Sequence, residues 1–303
     1  MKNAVVIIPI YKPDQKFCKL LDMLKKQKNI DFAVYIIDSG SNQADYEAYL
    51  EGLDYQITKI TPKIFNHGGT RRVAAQKYAL YPFLIYMTQD AVPADEFALS
   101  RLMKVFNDKN VGCAYGRQIP NHNAGVLGAH ARLFNYPAKS QVKSLSDAAK
   151  IGIKAAFISD TFAAYRTSAL KEVDWFPKNV ILGEDTYVAA KMLIAGWKSV
   201  YCAEACVYHS HDYSIWQEFK RYFDTGVFHA REPWIRKQFG QAEGEGKRFV
   251  ISEIRYVLYH APYLLPGACI RNAVKLLGYR LGIIENRIPG FVKRRCSMIK
   301  DYW

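Results

Sequence analysis

The chain has 303 residues, of which 50% are hydrophobic and 23% are charged, and its formal net charge is +14 at pH 7. This composition excludes an intrinsically disordered protein, and the length suits one large domain, or a domain with an appendage, that buries its own core. Six scattered cysteines are too few for a secreted disulfide framework and favour a reduced, cytosolic setting. No apolar run approaches the roughly 20 residues that span a bilayer, which excludes a membrane-spanning protein but not one bound to a membrane surface.

Positive charge is concentrated in the last quarter of the chain. Residues 231–303 contain 14 Lys and Arg against 6 Asp and Glu, so more than half of the net charge lies there. Such an excess favours an anionic partner: a nucleic acid, an anionic lipid or a diphosphate substrate. The sign of the charge alone does not choose among these three.

The first hundred residues alternate between strand-like and helix-like segments. Apolar runs predict buried strands at residues 5–8, 34–37 and 83–87. Helices are predicted at residues 20–24, 68–80 and 97–106. This alternation predicts an α/β fold whose sheet is mainly parallel, with helices on both faces. In such sheets, ligands bind beyond the carboxyl ends of the strands.

The pattern changes after this point. Residues 119–146 are rich in proline, asparagine and glycine and predict a long loop. A helix, a strand and a second helix are predicted, in that order, at residues 185–195, 201–208 and 215–229. A polar, glycine-bearing stretch at 240–246 then leads to residues 249–303, where apolar residues are interleaved with spaced cations.

Two aspartates follow predicted buried strands. Asp38 and Asp90 therefore occupy the edge of the sheet at which ligands bind. A carboxylate there can accept hydrogen bonds from a base or a ribose, or bind a divalent cation that carries a diphosphate. The alternative for each is an ordinary role as a helix cap or turn residue.

Glycines open the helix predicted at 68–80. Gly68 and Gly69 would expose backbone N–H groups to an anion, and Arg71 and Arg72 would add charge-assisted contacts to phosphate. The segment lacks the Gly-Lys-Ser/Thr ending of a phosphate-binding P-loop. A capped helix start with solvated arginines is the alternative.

Two further groups of polar residues are candidates for chemistry. Glu184 and Asp185 begin a predicted helix, where acidic residues also complement the helix dipole, and Asp185 could act as a general base. His209 and His211 are two residues apart and face the same side of an extended segment, so they could share a metal ion or be surface and capping residues. A zinc cluster with the upstream cysteines is disfavoured, because four-residue spacing on a strand does not converge on one ion.

Taken together, these segments resemble the inverting family-two glycosyltransferases, and among them the bacterial rhamnosyltransferases of polysaccharide and O-antigen assembly. The resemblance covers nearly the whole chain in the expected order. It is carried by Ile8-Pro9-Ile10-Tyr11, Asp38-Ser39-Gly40-Ser41, Asn66-His67-Gly68-Gly69-Thr70-Arg71, Thr88-Gln89-Asp90-Ala91, Tyr115-Gly116-Arg117-Gln118, Gly183-Glu184-Asp185 and His209-Ser210-His211.

The resemblance implies a GT-A fold, which is Rossmann-like, over residues 1–230. The charge of residues 231–303, together with their interleaved apolar residues, predicts a basic amphipathic helical extension. The resemblance also implies a nucleoside-diphosphate sugar as donor. Tyr11 and Asp38 would hold the nucleobase and ribose, and Arg72 would approach the diphosphate. The full set of implied donor-binding residues is Pro9, Tyr11, Asp38, Gly68, Arg72, Gln89 and Asp90.

The resemblance further implies a divalent cation, Mg²⁺ or Mn²⁺. Asp90 matches the last aspartate of the Asp-X-Asp metal motif, whereas Thr88 replaces the first aspartate. His209 or His211 is therefore the expected second ligand. Glu184 and Asp185 match the catalytic pair of the family, with Asp185 as the base, and the implied acceptor-binding residues are Arg117 and Asp160.

The donor most consistent with this resemblance is dTDP-β-L-rhamnose, and the acceptor is a glycan on a polyprenyl diphosphate. The protein would then be cytoplasmic and peripheral, with the basic extension bound to the anionic inner face of the cell membrane. Alternatively, the extension packs on the catalytic domain or forms a homodimer interface. A hexosyltransferase that uses a UDP-sugar is the second hypothesis. A nucleic-acid-binding protein is the third, and no nucleic acid is expected as a partner, because the sequence contains no recognition motif.

Overall fold

The structure is a computed structural model that describes residues 2–240 and 244–303. Residues 241–243, which belong to the polar stretch at 240–246, lie outside the described residues. The strands are β1 (Ala4–Ile10), β2 (Phe32–Asp38), β3 (Tyr55–Lys59), β4 (Phe83–Met87), β5 (Val92–Pro93), β6 (Val111–Ile119), β7 (Gln141–Lys143), β8 (Phe162–Arg166) and β9 (Lys198–Tyr208). The α-helices are α1 (Gln15–Lys25), α2 (His67–Lys77), α3 (Ala98–Lys104), α4 (Val126–Asn135), α5 (Ala148–Ile151), α6 (Thr167–Glu172), α7 (Glu184–Ile194), α8 (Ile215–Arg231), α9 (Pro233–Phe239), α10 (Glu245–His260), α11 (Leu265–Ile283) and α12 (Gly290–Cys296).

These strands form one mixed sheet across the described part of the chain. Its order is β3-β2-β1-β4-β8-β6-β9-β5, and β7 pairs with β9 away from this path. The parallel pairings are β1–β2, β1–β4, β2–β3 and β6–β9, and they contain most of the paired residues. The expectation of a mainly parallel sheet is confirmed, with antiparallel pairs at β8 and at the far edge.

Helices cover both faces of the sheet, as the alternating sequence predicted. Strand residues at alternate positions point to opposite faces, so one set packs against α1 and α3 and the other against α2, α6 and α7. In β1, for example, Val6 and Ile8 belong to the first core and Val5 and Ile7 to the second. Burial on both faces explains why this strand is apolar throughout rather than alternating.

The prediction of a long loop at 119–146 was wrong, because this segment contains α4 and β7. The partners of α4 are distant in sequence. The Asp212 carboxylate accepts a hydrogen bond from the N–H of Gly125 at the start of α4, and His130 of α4 packs against Phe249 and Tyr256 of α10. Because these partners are far away in sequence, α4 has no side-chain cap of its own from which the helix could have been predicted.

The helices after β9 pack on one another and on the sheet domain. Helices α8 and α11 are in backbone contact: a Cβ on Gly282 would lie 2.1 Å from the carbonyl oxygen of Phe223, and one on Gly278 would lie 2.5 Å from that of Phe219. A third core joins residues of α7, α8, α9 and the C-terminal segment. None of the helices in residues 2–240 and 244–303 is both long enough and apolar enough to cross a membrane.

Candidate active site

Asp90, His209 and His211 lie together and are called the metal corner here. The Nε2 atoms of His209 and His211 are 3.3 Å and 3.7 Å from Oδ2 of Asp90. One possible ligand atom from each of the three residues lies within 4.8 Å of the others. The structure thus brings together the three residues predicted as metal ligands.

Strand pairing explains why these residues meet. Val92 of β5 pairs with Tyr208, the last residue of β9, so the turn that carries Asp90 lies beside the residues that follow β9. His209 is the next residue in the chain after Tyr208, and its backbone N–H donates to the carbonyl of Ile119 at the end of β6. The carboxyl ends of β4, β6 and β9 therefore converge on this corner.

The surroundings of Asp90 in the metal corner stabilise its ionised, negatively charged form. Burial alone would raise the pKa of Asp90, but the hydrogen bond and charge of His209 outweigh it, with a smaller contribution from His211, and hold this pKa well below its usual range. Burial lowers the pKa of His211 to about 3, so its imidazole is neutral at physiological pH. A neutral imidazole has a lone pair that can bind a metal.

Gln118 fixes the orientation of His209. Its Oε1 lies 2.9 Å from Nδ1 of His209 and also accepts a hydrogen bond from Arg132. Because this oxygen can only accept, Nδ1 of His209 carries a proton, and Nε2 is the ring nitrogen that faces Asp90 and would be left to bind a cation. Gln118 and Arg132 were not predicted as site residues from the sequence, although Gln118 stands next to the candidate Arg117.

A second buried cluster contains Arg71, Asp160, Glu184 and Asp185 and is called the base corner here. Nη1 of Arg71 is 3.0 Å from Oε1 of Glu184, and Nε of Arg71 is 2.9 Å from Oδ2 of Asp160. The Asp185 carboxylate accepts hydrogen bonds from the N–H groups of Asp160, at 3.2 Å, and Thr186, at 2.6 Å. Glu184 and Asp185 are the first residues of α7, as predicted from the helix-start pattern.

Burial is the largest single influence on the pKa of each carboxyl group in the base corner. It raises the pKa of Asp185, and the negative charge of Glu184 raises it further. Burial also raises the pKa of Asp160. For Glu184, burial acts in the same direction, but Arg71 outweighs it and the pKa of this carboxyl is lowered. A carboxyl with a raised pKa is a stronger proton acceptor once it is ionised.

One hydrogen-bonded path joins the two corners. Gln118, which holds His209, donates from Nε2 to Oγ of Ser159 at 3.0 Å. The next residue, Asp160, donates its backbone N–H to Asp185. The segment before β8 is therefore linked to the metal corner through Gln118 and contacts the base corner directly.

The predicted nucleotide-binding residues lie at the ends of β1, β2 and β4. The Tyr11 backbone N–H donates to Oε1 of Gln89 at 2.8 Å, and Nε2 of Gln89 donates back to the Tyr11 carbonyl. The Tyr11 side chain is 49% exposed, so its ring can stack on a base. Pro9 lies within β1, one residue before its end.

Asp38 is buried at the end of β2. It is 1% exposed, and its carboxylate accepts hydrogen bonds from the N–H groups of Gly40 and Ser41 and from the Tyr46 hydroxyl. Gly68 also has a packing role, since a Cβ there would lie 2.1 Å from the Pro177 carbonyl oxygen. The contacts of Asp38 are those of a turn residue, and its role in binding the nucleotide stays a prediction.

Two other candidates, Arg72 and Arg117, are engaged elsewhere in the structure, and a third, Asp160, lies within the base corner. The Arg72 guanidinium donates to Asp174 and to the Phe176 carbonyl, whereas its neighbour Arg71 enters the base corner. Arg117 donates from Nε to the Tyr136 carbonyl. Asp160, predicted to contact the acceptor, is 3% exposed and accepts a 2.6 Å hydrogen bond from Tyr165.

The sequence matches known glycosyltransferases over its whole length. A family model described as glycosyltransferase like family 2 matches residues 3–224. The chain is 45% identical over 301 residues to the O-antigen chain rhamnosyltransferase RfbN of Salmonella typhimurium, covering 99% of this chain and 96% of that protein. It is 43% identical over 304 residues to the O-antigen chain rhamnosyltransferase WbaN of Salmonella anatum, covering 100% of this chain and 96% of that protein.

Solved structures show the same fold at low sequence identity. The mannosyltransferase PcManGT from Pyrobaculum calidifontis, in complex with GDP-Man and Mn²⁺, has a TM-score of 0.58 at 17% identity, over 99% of this chain and 84% of that one. S. aureus TarS in complex with UDP-GlcNAc has a TM-score of 0.55 at 17% identity, over 95% and 92% of the two chains. The fold is thus GT-A, and the chain belongs to the family 2 glycosyltransferases, with O-antigen chain rhamnosyltransferases among its relatives.

Proposed function

We propose that this glycosyltransferase moves L-rhamnose from dTDP-β-L-rhamnose to a hydroxyl of a lipid-linked glycan during O-antigen assembly. The named activity of RfbN and WbaN supports rhamnosyl transfer. The observation that carries the mechanism is the hydrogen-bonded path through Gln118, Ser159 and Asp160, which fixes a metal corner and a base corner to one segment. An inverting transferase requires a proton acceptor on one side of the reacting sugar and compensation of diphosphate charge on the other.

Asp185 is the base in this proposal. Its carboxylate is held by two backbone N–H groups, and burial with the charge of Glu184 raises its pKa. The ionised carboxylate removes the proton of the acceptor hydroxyl as the oxygen attacks the anomeric carbon of the donor. The bond to the diphosphate breaks in the same step, and the configuration inverts to an α-L-rhamnoside. No covalent sugar intermediate forms, so no nucleophilic carboxylate is needed.

Asp90, His209 and His211 fit a divalent cation, and of the two expected ions they fit Mn²⁺ better. Mg²⁺ prefers an all-oxygen set with several waters, whereas this corner supplies one carboxylate and two imidazoles whose pKa values are lowered by burial. When bound, the ion would compensate the charge of the departing diphosphate. The chain's own contribution is to hold Nε2 of His209 toward the site through Gln118.

Direct binding measurements test the donor and the metal. We expect dTDP-rhamnose to bind in calorimetry with Mn²⁺ present, more tightly than UDP-glucose, and to lose binding in excess EDTA. Tighter binding of UDP-glucose would favour the hexosyltransferase hypothesis. Full transfer activity in excess EDTA would show that the enzyme does not need a metal.

We also propose that α11 and its neighbours bind the anionic inner face of the cell membrane, where a lipid-linked acceptor would lie. Ile270, Leu277 and Ile284 are spaced seven residues apart and are 54%, 54% and 43% exposed. Residues 254–303 contain nine Lys and Arg but two acidic residues, of which Glu285 is buried against Arg231 and Lys293. An apolar stripe flanked by positively charged side chains, with few acidic ones, matches an anionic lipid surface.

This surface lies beside the active site. Arg271, near the start of α11, donates to the Tyr213 carbonyl at 2.6 Å, and the Tyr213 ring stacks on His211 at 4.9 Å. A membrane bound at α11 would therefore be close to the metal corner. A glycan whose lipid remains in that membrane would have a short path to the site.

Sedimentation with vesicles tests this surface. The protein should pellet with anionic vesicles at low salt and be released by salt. Arg280→Glu with Arg287→Glu should remain in the supernatant, whereas reversal of Lys19 and Lys109, in the first half of the chain, should not change pelleting. If the wild type stays in the supernatant and Ile270→Glu converts a dimer to a monomer in ultracentrifugation, the surface is a homodimer interface instead.

A further inference from the structure

Arg71 is a buried cation that faces carboxylates rather than a phosphate site. It is 5% exposed and lies between Glu184 and Asp160. Its Nη1 also donates to the carbonyl of His67 in the same helix, and its own carbonyl accepts a hydrogen bond from the Tyr86 hydroxyl. These contacts fix both the side chain and the helix turn that carries it.

The base corner contains three carboxyl groups and one such cation. His67 is the nearest other basic group, 3.9 Å from Glu184, but burial lowers its pKa and keeps it neutral at pH 7. Three ionised carboxylates against one guanidinium would leave uncompensated buried charge, which is costly. The three carboxyls therefore titrate as a coupled unit whose charge depends on Arg71.

Other titratable groups around Asp185 are few and come from several elements. Those that face it or its partners are His67 and Arg71 on α2, Tyr86 on β4, Tyr136 after α4, Asp160 before β8, Tyr165 on β8, Glu184 on α7 and Arg221 on α8. Burial raises the pKa of each of these tyrosines, so they are neutral at physiological pH. Of the two arginines, Arg71 is the one in direct contact with the carboxylates.

We propose that Arg71 is the positioning residue for the base Asp185, and that its guanidinium sets how many protons the three carboxyls share. By holding Asp160, it places the N–H that binds the Asp185 carboxylate. By pairing with Glu184, it keeps that neighbour ionised. The inference rests on the proposed role of Asp185 in rhamnosyl transfer.

Loss of Arg71 has a specific consequence for protonation. Without the cation, the cluster takes up a further proton near neutral pH, so Asp185 is ionised in a smaller fraction of molecules. The acid limb of the pH–rate profile should move to higher pH, because the reaction needs the ionised base. An opposite charge in contact lowers a carboxyl pKa by about 1–3 units, and we expect a shift of about one unit for a partner that acts through Glu184.

The test compares Arg71→Met and Arg71→Lys with Arg72→Met, which removes a cation from the adjacent position but outside the cluster. The primary readout is a titration of ¹³C-labelled aspartate carboxyls by NMR, with Asp185→Asn used to assign the Asp185 signal. This measurement needs no sugar nucleotide, so it remains informative if the proposed donor is wrong. The second readout is the pH dependence of kcat/KM.

We expect Arg71→Met to raise the Asp185 midpoint and the acid limb by about one pH unit. Arg71→Lys should produce a smaller shift, and Arg72→Met none. Adding Asp160→Asn to Arg71→Met should reverse part of the shift, because it removes a carboxyl group whose negative charge disfavours ionisation of Asp185. If Arg71→Met does not fold, the comparison uses Arg71→Lys in its place. An Asp185 midpoint that stays unchanged in the Arg71 variant would overturn the proposal. A shift of the same size in Arg72→Met would also overturn it.

Discussion

The metal corner and the base corner both depend on buried carboxylates, yet their neighbours shift the carboxyl pKa values in opposite directions. At the metal corner, His209 outweighs burial and the pKa of Asp90 is lowered. At the base corner, burial and the charge of Glu184 act together and the pKa of Asp185 is raised. The same chemical group is therefore kept anionic in one place and able to accept a proton in the other.

This difference suits the separate tasks proposed for the two sites, which share one supporting segment. A metal ligand must stay ionised, whereas a general base must change its protonation during the reaction. Because Ser159 is linked to the metal corner through Gln118, whereas Asp160 binds Asp185 through its backbone N–H, a substitution at one corner need not disturb the other. Variants that separate metal binding from turnover test this independence.

The largest expected effect is on turnover at the base corner. Asp185→Asn removes the proton acceptor but keeps the size and one oxygen acceptor of the side chain. We expect turnover to fall by roughly 10²–10⁴-fold, the usual contribution of a general base, with Mn²⁺ affinity unchanged. Single-turnover kinetics and calorimetry measure the two quantities, and near-wild-type turnover would remove Asp185 from this role.

At the metal corner, Asp90→Ala should have the opposite pattern of effects: a loss of metal binding, with the base corner unchanged. It removes the one carboxylate among the three ligands, so we expect Mn²⁺ affinity to fall by more than roughly 100-fold, above the range for residues that only orient ligands. Asp185 should still titrate as in the wild type in the ¹³C measurement. If electron paramagnetic resonance shows Mn²⁺ bound at wild-type affinity, Asp90 is not a ligand.

A smaller loss is expected when the support of His209 is removed. Gln118→Leu fills the same buried space but has no acceptor for Nδ1 of His209 or for Arg132. We expect Mn²⁺ affinity to fall by roughly 10–100-fold. The control is Gln118→Glu, which keeps an acceptor oxygen and should retain most of the affinity. Equal losses in both variants would mean that the acceptor itself is not what holds the histidine.

The two corners also show how far the sequence could predict this molecule. Apolar runs and strand–helix alternation correctly predicted the sheet, because strands buried on both faces need such runs. Strand-end position and short motifs also selected the segments that contain Asp90, His209, Glu184 and Asp185. The structure brings Asp90 and His209 together at the carboxyl ends of the strands and has Glu184 and Asp185 at the start of α7.

The sequence could not determine which of two adjacent residues contacts the metal corner or the base corner. Arg72 was selected as the functional residue, but Arg71 enters the base corner, and successive helix residues point about 100° apart. Arg117 was selected, but Gln118 binds His209, and successive strand residues point to opposite faces. A motif fixes a position along the chain, whereas the direction of a side chain depends on packing partners far away in sequence.

The smallest expected effect concerns the backbone that positions the base corner. Gly183 precedes Glu184 and has a φ of +78°, and a Cβ there would lie 3.0 Å from the Phe228 ring of α8. Gly183→Ala should cost about 1–2 kcal/mol of unfolding free energy from the left-handed backbone alone. It should also lower turnover, because α7 must shift away from Phe228, while Mn²⁺ affinity stays unchanged. The matched control is Gly196→Ala at the other end of α7, where φ is +90° and no atom lies within 4 Å of the added Cβ. Chemical denaturation should show a similar loss of stability in both variants, and only Gly183→Ala should slow catalysis. Equal turnover in the two variants would show that Phe228 does not set the position of the base.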